Sequence, residues 1–226
     1  MASTRDLSVQ VGDGMKVSAV LVEPAEPRFL LVLGHGAGAG MHHPFMNKLA
    51  NELVETQIAT LRYQFPYMEQ RRKAPDKPQV LTATVAAAVK TAADTRPDLP
   101  LLAGGKSMGG RMTSQAAAQG LLPAVKGLVF FGFPLHPPKQ PATKRGNHLA
   151  DVTQPMLFLQ GTRDDLADLT LLRPICKNLG SRATLHVIEG ADHSFHVLKS
   201  AGCSDADVLR ELAVTTASWT RHLAAK

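Results

Sequence analysis

The sequence of 226 residues predicts one α/β domain, built on a mostly parallel sheet of about eight strands with helices on both faces. Short apolar runs alternate with longer segments of helical periodicity along the whole chain, and strands buried on both faces are typical of parallel sheets. The first two runs instead flank Gly12-Asp13-Gly14, a turn that predicts an antiparallel hairpin at the amino-terminal edge. No repeat or linker divides residues 1–226, so we expect a single domain.

The predicted elements follow in chain order. A continuous apolar strand after the hairpin ends in a glycine-rich segment, and the helix that follows has Pro44 in its first turn and an apolar face. An alanine-rich helix follows a proline-containing loop and ends near Asp94. We expect strands at 7–11, 16–22, 28–33, Ile58–Tyr63, 99–103, Val125–Phe131, 156–159 and Ala183–Ile188, and the remaining helices at 44–57, 108–119, 166–179 and Asp205–Ala224. The polar, proline-rich stretch 134–154 predicts no element and is interpreted as a short cap-like insertion.

Composition and charge narrow the class of protein. Hydrophobic residues make up 44% and charged residues 19% of the chain, as in globular enzymes. The net charge of +6 is spread out, its densest cluster being Arg71-Arg72-Lys73, and no nucleic-acid-binding motif accompanies it, so we expect no nucleic-acid partner. The amino terminus lacks a secretory apolar region and residues 29–33 are too few to span a bilayer, so we expect no membrane association. With two cysteines, Cys176 and Cys203, a cytoplasmic location with free thiols is predicted.

The segment Gly105-Lys106-Ser107-Met108-Gly109 fits the pattern G-x-S-x-G, directly after a predicted strand and directly before a helix. In that context the pattern is typical of a nucleophile elbow, a tight turn that lifts the serine hydroxyl above the sheet edge. The same residues resemble the end of a phosphate-binding loop, but that motif requires a glycine where Pro100 stands. We therefore interpret Ser107 as a nucleophile.

A nucleophilic serine needs a base, and the base needs an orienting acid. Asp164 follows the predicted strand 156–159, and His193 follows Ala183–Ile188. Because the carboxyl ends of parallel strands share one sheet edge, both side chains are expected near Ser107. Asp165 is the alternative acid and His196 the alternative base. Two further carboxylates are less suitable, because we expect Asp168 to be helical and solvated and Asp192 to cap the following turn.

An oxyanion hole requires two backbone donors. The N–H of Met108, directly after the nucleophile, is the first candidate. The second is the N–H of Ala37, with Gly38 as the alternative, in the glycine-rich loop 34–40. This loop lacks the G-x-G-x-x-G spacing of dinucleotide sites, and the adjacent His42 and His43 lack metal-ligand spacing, so we expect no cofactor and no metal.

Six segments together resemble the α/β-hydrolase superfamily in its dienelactone-hydrolase-like branch, and within it the group of testis-expressed protein 30 and the hydrolase-like subunit of the non-specific-lethal complex. The resemblance implies Ser107, Asp164 and His193 as the triad. Asp165 departs from the proline that we expect after the acid in many relatives, which keeps the choice of carboxylate open. Dienelactone hydrolases proper carry cysteine where Ser107 stands, so that activity is not expected. The segments are 33–38 (LGHGAG), 62–69 (RYQFPYME), 105–111 (GKSMGGR), 133–138 (FPLHPP), 160–164 (QGTRD) and 192–195 (DHSF).

The sequence therefore predicts a serine hydrolase that cleaves a small ester, thioester or related acyl bond, with a small-molecule acyl compound as its partner. The alternative is a non-catalytic scaffold of the same fold, because some relatives are subunits of larger assemblies. We expect a small acyl pocket walled by Met41, Tyr67, Phe133 and Leu135. Six cations are either ordinary surface charges or a ring at the pocket mouth that attracts anionic substrates: Arg71, Arg72, Lys73, Lys139, Lys144 and Arg145.

Overall fold

The computed structural model, which describes residues 2–12 and 14–224, contains an eight-stranded sheet. Asp13 of the predicted hairpin turn lies outside the described residues. The strands are β1 (Ser3–Val11), β2 (Met15–Glu23), β3 (Phe29–Gly34), β4 (Ile58–Tyr63), β5 (Leu101–Lys106), β6 (Val125–Phe131), β7 (Met156–Gly161) and β8 (Ala183–Ile188).

Strand order in the sheet is β1-β2-β4-β3-β5-β6-β7-β8. β2 runs antiparallel to both of its neighbours, with Ser3 opposite Glu23 and Val11 opposite Met15 in the hairpin. From β4 through β8 every neighbouring pair is parallel. The prediction of a mostly parallel sheet with an amino-terminal antiparallel hairpin is confirmed.

Helices cover both faces of the sheet. Helices α1 and α6 pack on one face, where Leu49 and Leu212 are completely buried. Helices α3, α4 and α5 pack on the other, around Met112 and Leu172. The helices are α1 (Pro44–Glu55), the single turn α2 (Pro66–Glu69), α3 (Pro78–Thr95), α4 (Met108–Ala118), α5 (Leu169–Leu179) and α6 (Asp205–Ala224).

Most differences from the predicted bounds have a local cause. β1 starts four residues earlier than expected, because its first half is polar and exposed and has no apolar signal. Helix α5 starts at Leu169 and not at 166, because the Asp168 carboxylate accepts a hydrogen bond from the N–H of Thr170 and caps the helix. β5 continues past residue 103 to Lys106, a glycine-containing stretch in which a Cβ on Gly104 would lie 1.9 Å from the Val129 carbonyl oxygen.

The stretch 134–154 contains a 3₁₀ segment, Lys144–Asp151, that packs against α4 and α5. Leu135, Leu149 and Val152 are fully buried in the core on that side of the sheet. The stretch is therefore anchored on the flank of the domain. Among the described residues no helix combines the length and apolarity needed to cross a bilayer.

Candidate active site

Ser107 stands between the end of β5 and the start of α4, with φ 51° and ψ −116°. A positive φ is strained for a residue with a side chain. The turn is held because glycines surround it: a Cβ on Gly105 would lie 2.4 Å from the Gly34 carbonyl oxygen, and one on Gly109 would lie 2.3 Å from the same atom. Close packing of β3, β5 and α4 therefore imposes the conformation that presents the Ser107 hydroxyl at the carboxyl edge of the sheet.

His193 lies between Ser107 and Asp164. Its Nε2 is 2.8 Å from Ser107 Oγ, and its Nδ1 is 2.8 Å from Asp164 Oδ2. The carboxylate can only accept, so Nδ1 donates to Asp164 and Nε2 is left to accept the hydroxyl proton of Ser107. The structure thus brings the three predicted side chains into one hydrogen-bonded chain.

The Asp164 carboxylate is almost completely buried and both of its oxygens accept hydrogen bonds. Oδ1 accepts from the N–H of Leu166 at 2.8 Å, and Oδ2 accepts from the Gln160 side chain as well as from His193. Gln160 is itself held because its Oε1 accepts the N–H of Phe133 at 2.9 Å. Gln160 was not predicted as a site residue. Its position in β7, inside an apolar run, was the available signal, because a buried amide requires partners.

The competing residues lie elsewhere. Asp165 is exposed, and His196 is exposed and bonds the Asp205 carboxylate through Nδ1 at 2.9 Å. Asp192 accepts the N–H groups of Ser194 and His196 and so caps the turn that carries His193. Asp168 caps α5, which differs from the solvated helical position expected for it.

The loop 34–40 supplies backbone donors beside Ser107. The N–H of Gly38 donates to the Tyr67 hydroxyl at 3.0 Å and is therefore occupied. In the described part of the chain the N–H groups of Ala37 and Met108 donate no hydrogen bond. Of the two donors considered in this loop, Ala37 is thus the one that remains free for a substrate oxygen.

Three side chains hold this loop in place. His35 is fully buried, donates from Nδ1 to the Gly36 carbonyl at 2.7 Å and accepts the N–H of Phe65 at Nε2. Burial lowers the pKa of His35 to about 4, so the ring is neutral at neutral pH and can fill both roles. Gln64 accepts the N–H of Met41 at 2.9 Å, where the loop ends. His35 and Gln64 are positioning groups that the sequence alone did not identify, and Tyr67 positions the loop where we expected a wall of the substrate pocket.

A cavity of about 360 Å³ opens beside Ser107 and His193. Its walls come from the loop 34–40, from α1 and from the stretch after β7, and are mostly apolar. The lining residues are Gly36, Ala37, Ala39, His43, Phe45, Met46, Lys106, Leu166 and Ser194, together with Ser107 and His193.

The four residues predicted as walls of the acyl pocket do not line this cavity. Met41, Tyr67, Phe133 and Leu135 are all buried inside the domain, and none of them lines this cavity. Their side chains point into the core because the segments that carry them are anchored there, whereas Phe45 on α1 is half-buried and faces the cavity. The stretch 134–154 contributes nothing to its wall either.

The six cations expected around the mouth do not line the cavity. Arg72 bonds the Asp76 carboxylate and the Gln70 side chain on the surface.

His43 accepts the N–H of Phe45 and caps α1. Among residues 2–12 and 14–224 no group of three histidine, cysteine, aspartate or glutamate side chains is arranged to hold a metal ion.

Comparisons with known proteins agree with the fold described above. The family described as "Alpha/beta hydrolase domain" matches residues 27–221. The fold is similar to dienelactone hydrolase from Anabaena variabilis, at 21% identity and a TM-score of 0.76 over 98% of both chains. It is also similar to a serine hydrolase without a lid from Xanthomonas campestris, at 18% identity and a TM-score of 0.74, covering 96% of this chain and 95% of the other. A serine hydrolase homologue from Coxiella burnetii matches at 18% identity with a TM-score of 0.73, over 94% of this chain and 96% of the other. At these identities the likeness to the solved structures is one of fold.

Proposed function

The chain belongs to the α/β-hydrolase family, and from that premise we propose that it is a serine hydrolase that cleaves a small ester, thioester or related acyl bond. One observation carries the proposal. Ser107 Oγ, the His193 ring and the Asp164 carboxylate are joined by two hydrogen bonds of 2.8 Å at the mouth of a largely apolar cavity. A hydroxyl linked in this way to an oriented imidazole is the arrangement that activates serine for attack on a carbonyl.

In the proposed reaction Ser107 Oγ forms a bond to the acyl carbon and its proton passes to His193 Nε2. The carbonyl oxygen becomes an oxyanion and accepts the N–H groups of Ala37 and Met108. Collapse of this intermediate breaks the bond to the leaving group, which takes the proton from His193. Water then attacks the acyl-serine with His193 again as base, releasing a carboxylic acid and restoring Ser107. Asp164 keeps the imidazole in the required tautomer and stabilises its protonated form.

The walls support an acyl substrate of modest size. Phe45 and Leu166 offer apolar contacts, and a cavity of about 360 Å³ is at the small end of ligand sites. Neither a metal nor an organic cofactor is required by this chemistry.

A fluorophosphonate probe tests the proposal, because it labels an activated serine and spares an ordinary one. We expect wild-type protein to be labelled and the Ser107→Ala and His193→Gln variants to remain unlabelled. Labelling of Ser194→Ala should be normal, since that serine lies near the cavity but outside the hydrogen-bonded chain. Wild-type protein that resists the probe would favour the rival function, a non-catalytic scaffold that binds a partner.

We also propose a narrower family group and a cellular location for the protein. We propose that the chain belongs to the group of testis-expressed protein 30 and the hydrolase-like subunit of the non-specific-lethal complex, on the six segments quoted above. Four of them, 33–38, 105–111, 160–164 and 192–195, meet at the site. We also propose a cytoplasmic location, which the two free thiols of Cys176 and Cys203 support.

A further inference from the structure

Lys106 places a buried ammonium beside the proposed nucleophile. Its Nζ is buried and has no hydrogen-bond partner in the described part of the chain, and the residue is one of those that line the cavity. Burying a charged group without hydrogen bonds is costly, so its retention calls for a compensating role. The mechanism proposed above makes no use of it.

Two aromatic rings flank this ammonium on its apolar side. Nζ lies 5.5 Å from the ring centroid of Phe195 and 5.9 Å from that of Phe45. The two rings are themselves stacked, with centroids 5.8 Å apart and planes 14° from parallel. Both distances are within the range of cation–π attraction, which offsets part of the desolvation cost. The rings therefore favour this position of the ammonium group.

On its other side the ammonium faces Asp164 and His193. A Cβ on Gly132 would lie 3.2 Å from Lys106 Nζ and 3.5 Å from both Asp164 Oδ2 and His193 Cε1. The three groups thus converge on one backbone position, although Nζ forms no ion pair within 4.0 Å among the described residues.

The groups near Lys106 that can carry a charge come from several loops around the site. Burial lowers its pKa to about 8, while the carboxylates of Asp164 and Asp192 act in the opposite direction, so the ammonium is charged at neutral pH. His193 faces it from the loop after β8, and His43 is the other imidazole on the cavity wall. Phe45 on α1 and Phe195 contribute no charge.

We propose, on the basis of the proposed function, that Lys106 is a positioning residue whose fixed charge beside Asp164 and His193 sets the pH range in which Ser107 is activated. The cation balances the buried carboxylate in the resting site. Like charges at short range disfavour each other, so the cation acts on the charged form of the imidazole in the direction opposite to Asp164.

The test is the pH dependence of kcat/KM for an aryl ester. We expect Lys106→Met, which keeps the length and apolar stem, to move the acid limb of the profile to higher pH by about one unit. Lys106→Arg keeps the charge and should leave the limb near its wild-type position. Lys126→Met is the matched control, because it removes the same charge from an exposed position at the start of β6, at the other end of the strands. Repeating the series in a His43→Gln background removes the second imidazole of the cavity from the titration.

The rate of fluorophosphonate labelling as a function of pH is the second readout, because it reports the activated serine without requiring turnover. If Lys106→Met fails to fold, Lys106→Gln supplies the uncharged comparison. A wild-type protein that is not labelled refutes the proposed function itself. Normal labelling with an acid limb unchanged in the uncharged variants refutes the role of Lys106 alone. A limb that moves equally in Lys106→Met and Lys106→Arg also refutes it, because packing and not charge would then be responsible.

Discussion

The backbone N–H of Gly38 donates a hydrogen bond to the hydroxyl of Tyr67 at 3.0 Å. This contact joins the loop after β3 to the single turn of α2, 29 residues further along the chain. It occupies one of the two amides of this loop that were candidates for binding an oxyanion. It also fixes the backbone that presents the other candidate, the N–H of Ala37. Tyr67, which we expected to touch substrate, instead supports the loop from behind.

Tyr67→Phe should therefore weaken catalysis without changing the cavity that binds the substrate. Loss of a hydrogen bond worth about 1 kcal/mol lets the loop relax, and we expect kcat for an aryl ester to fall roughly fivefold to tenfold. KM should change little, because the oxyanion exists only in the transition state. Steady-state kinetics measure both. Tyr63→Phe is the control, since that hydroxyl lies against Gly34 and bonds no residue of the loop among those described. Equal losses in the two variants would contradict the assignment.

Asp164 and Asp165 are neighbours with different surroundings, and their amide variants should differ accordingly. Asp164→Asn allows the wrong imidazole tautomer, so turnover should drop on the order of 10³-fold to 10⁴-fold. Asp165→Asn changes an exposed side chain and should stay within about twofold of wild type. The comparison uses kcat/KM at neutral pH, with circular dichroism as the check on folding. A severe loss in Asp165→Asn would show that the loop tolerates no change of charge.

The packing around the elbow predicts an effect on stability. A Cβ at Gly109 would meet the Gly34 carbonyl at 2.3 Å, whereas one at Gly36 would meet nothing closer than 3.8 Å. We expect Gly109→Ala to lower the free energy of unfolding by about 2–3 kcal/mol or more, and Gly36→Ala to change it by less than about 0.5 kcal/mol. Urea titration measures the difference. A Gly109→Ala protein as stable as wild type would mean that the elbow is less tightly packed than described.

Substrate length should matter because the cavity is small and is not roofed by the stretch 134–154. We expect kcat/KM for p-nitrophenyl butyrate to exceed that for the laurate ester at least about tenfold, since the long acyl chain does not fit within a cavity of this size. Phe45→Ala removes one wall and should narrow the gap between the two esters. Faster hydrolysis of laurate by the wild-type protein would contradict the cavity assignment.

A preference for anionic substrates remains a separate prediction. It was based on six surface cations, and none of these lines the cavity, so any attraction must act at a distance. Such an effect is screened by salt. Rates for a carboxylate-bearing ester should then rise more than those for a neutral ester when salt is lowered, and equal salt dependence would exclude the effect.

The sequence predicted the sheet and the three loops that meet at the site for one physical reason. Parallel strands end at a common edge, so residues directly after β5, β7 and β8 must come together, whatever the details of the loops. The choice of Asp164 over Asp165 needed coordinates, because adjacent loop residues point in directions that no periodicity encodes.

The sequence could not predict the cavity wall either, because the directions of side chains in irregular loops follow no periodicity. Phe133 and Leu135 lie in a loop without regular structure, and their burial depends on how 134–154 anchors on α4 and α5. The apolar face predicted for the helix at 44–57 includes Phe45, which also supplies a wall of the cavity. Lys106 stands at a variable position of the G-x-S-x-G pattern, so the pattern itself gave no signal for it.

In the proposed mechanism Ser107 forms a covalent acyl intermediate with His193 as its base. The most direct test of this mechanism is rapid acid quenching of the protein with p-nitrophenyl acetate, followed by mass spectrometry of the digested chain. We predict one acetyl group on the peptide that contains Ser107, formed at the rate of the p-nitrophenol burst and absent in Ser107→Ala and His193→Gln. Turnover of the ester by wild-type protein with no acetyl on Ser107, or with the acetyl on another residue, would contradict the account.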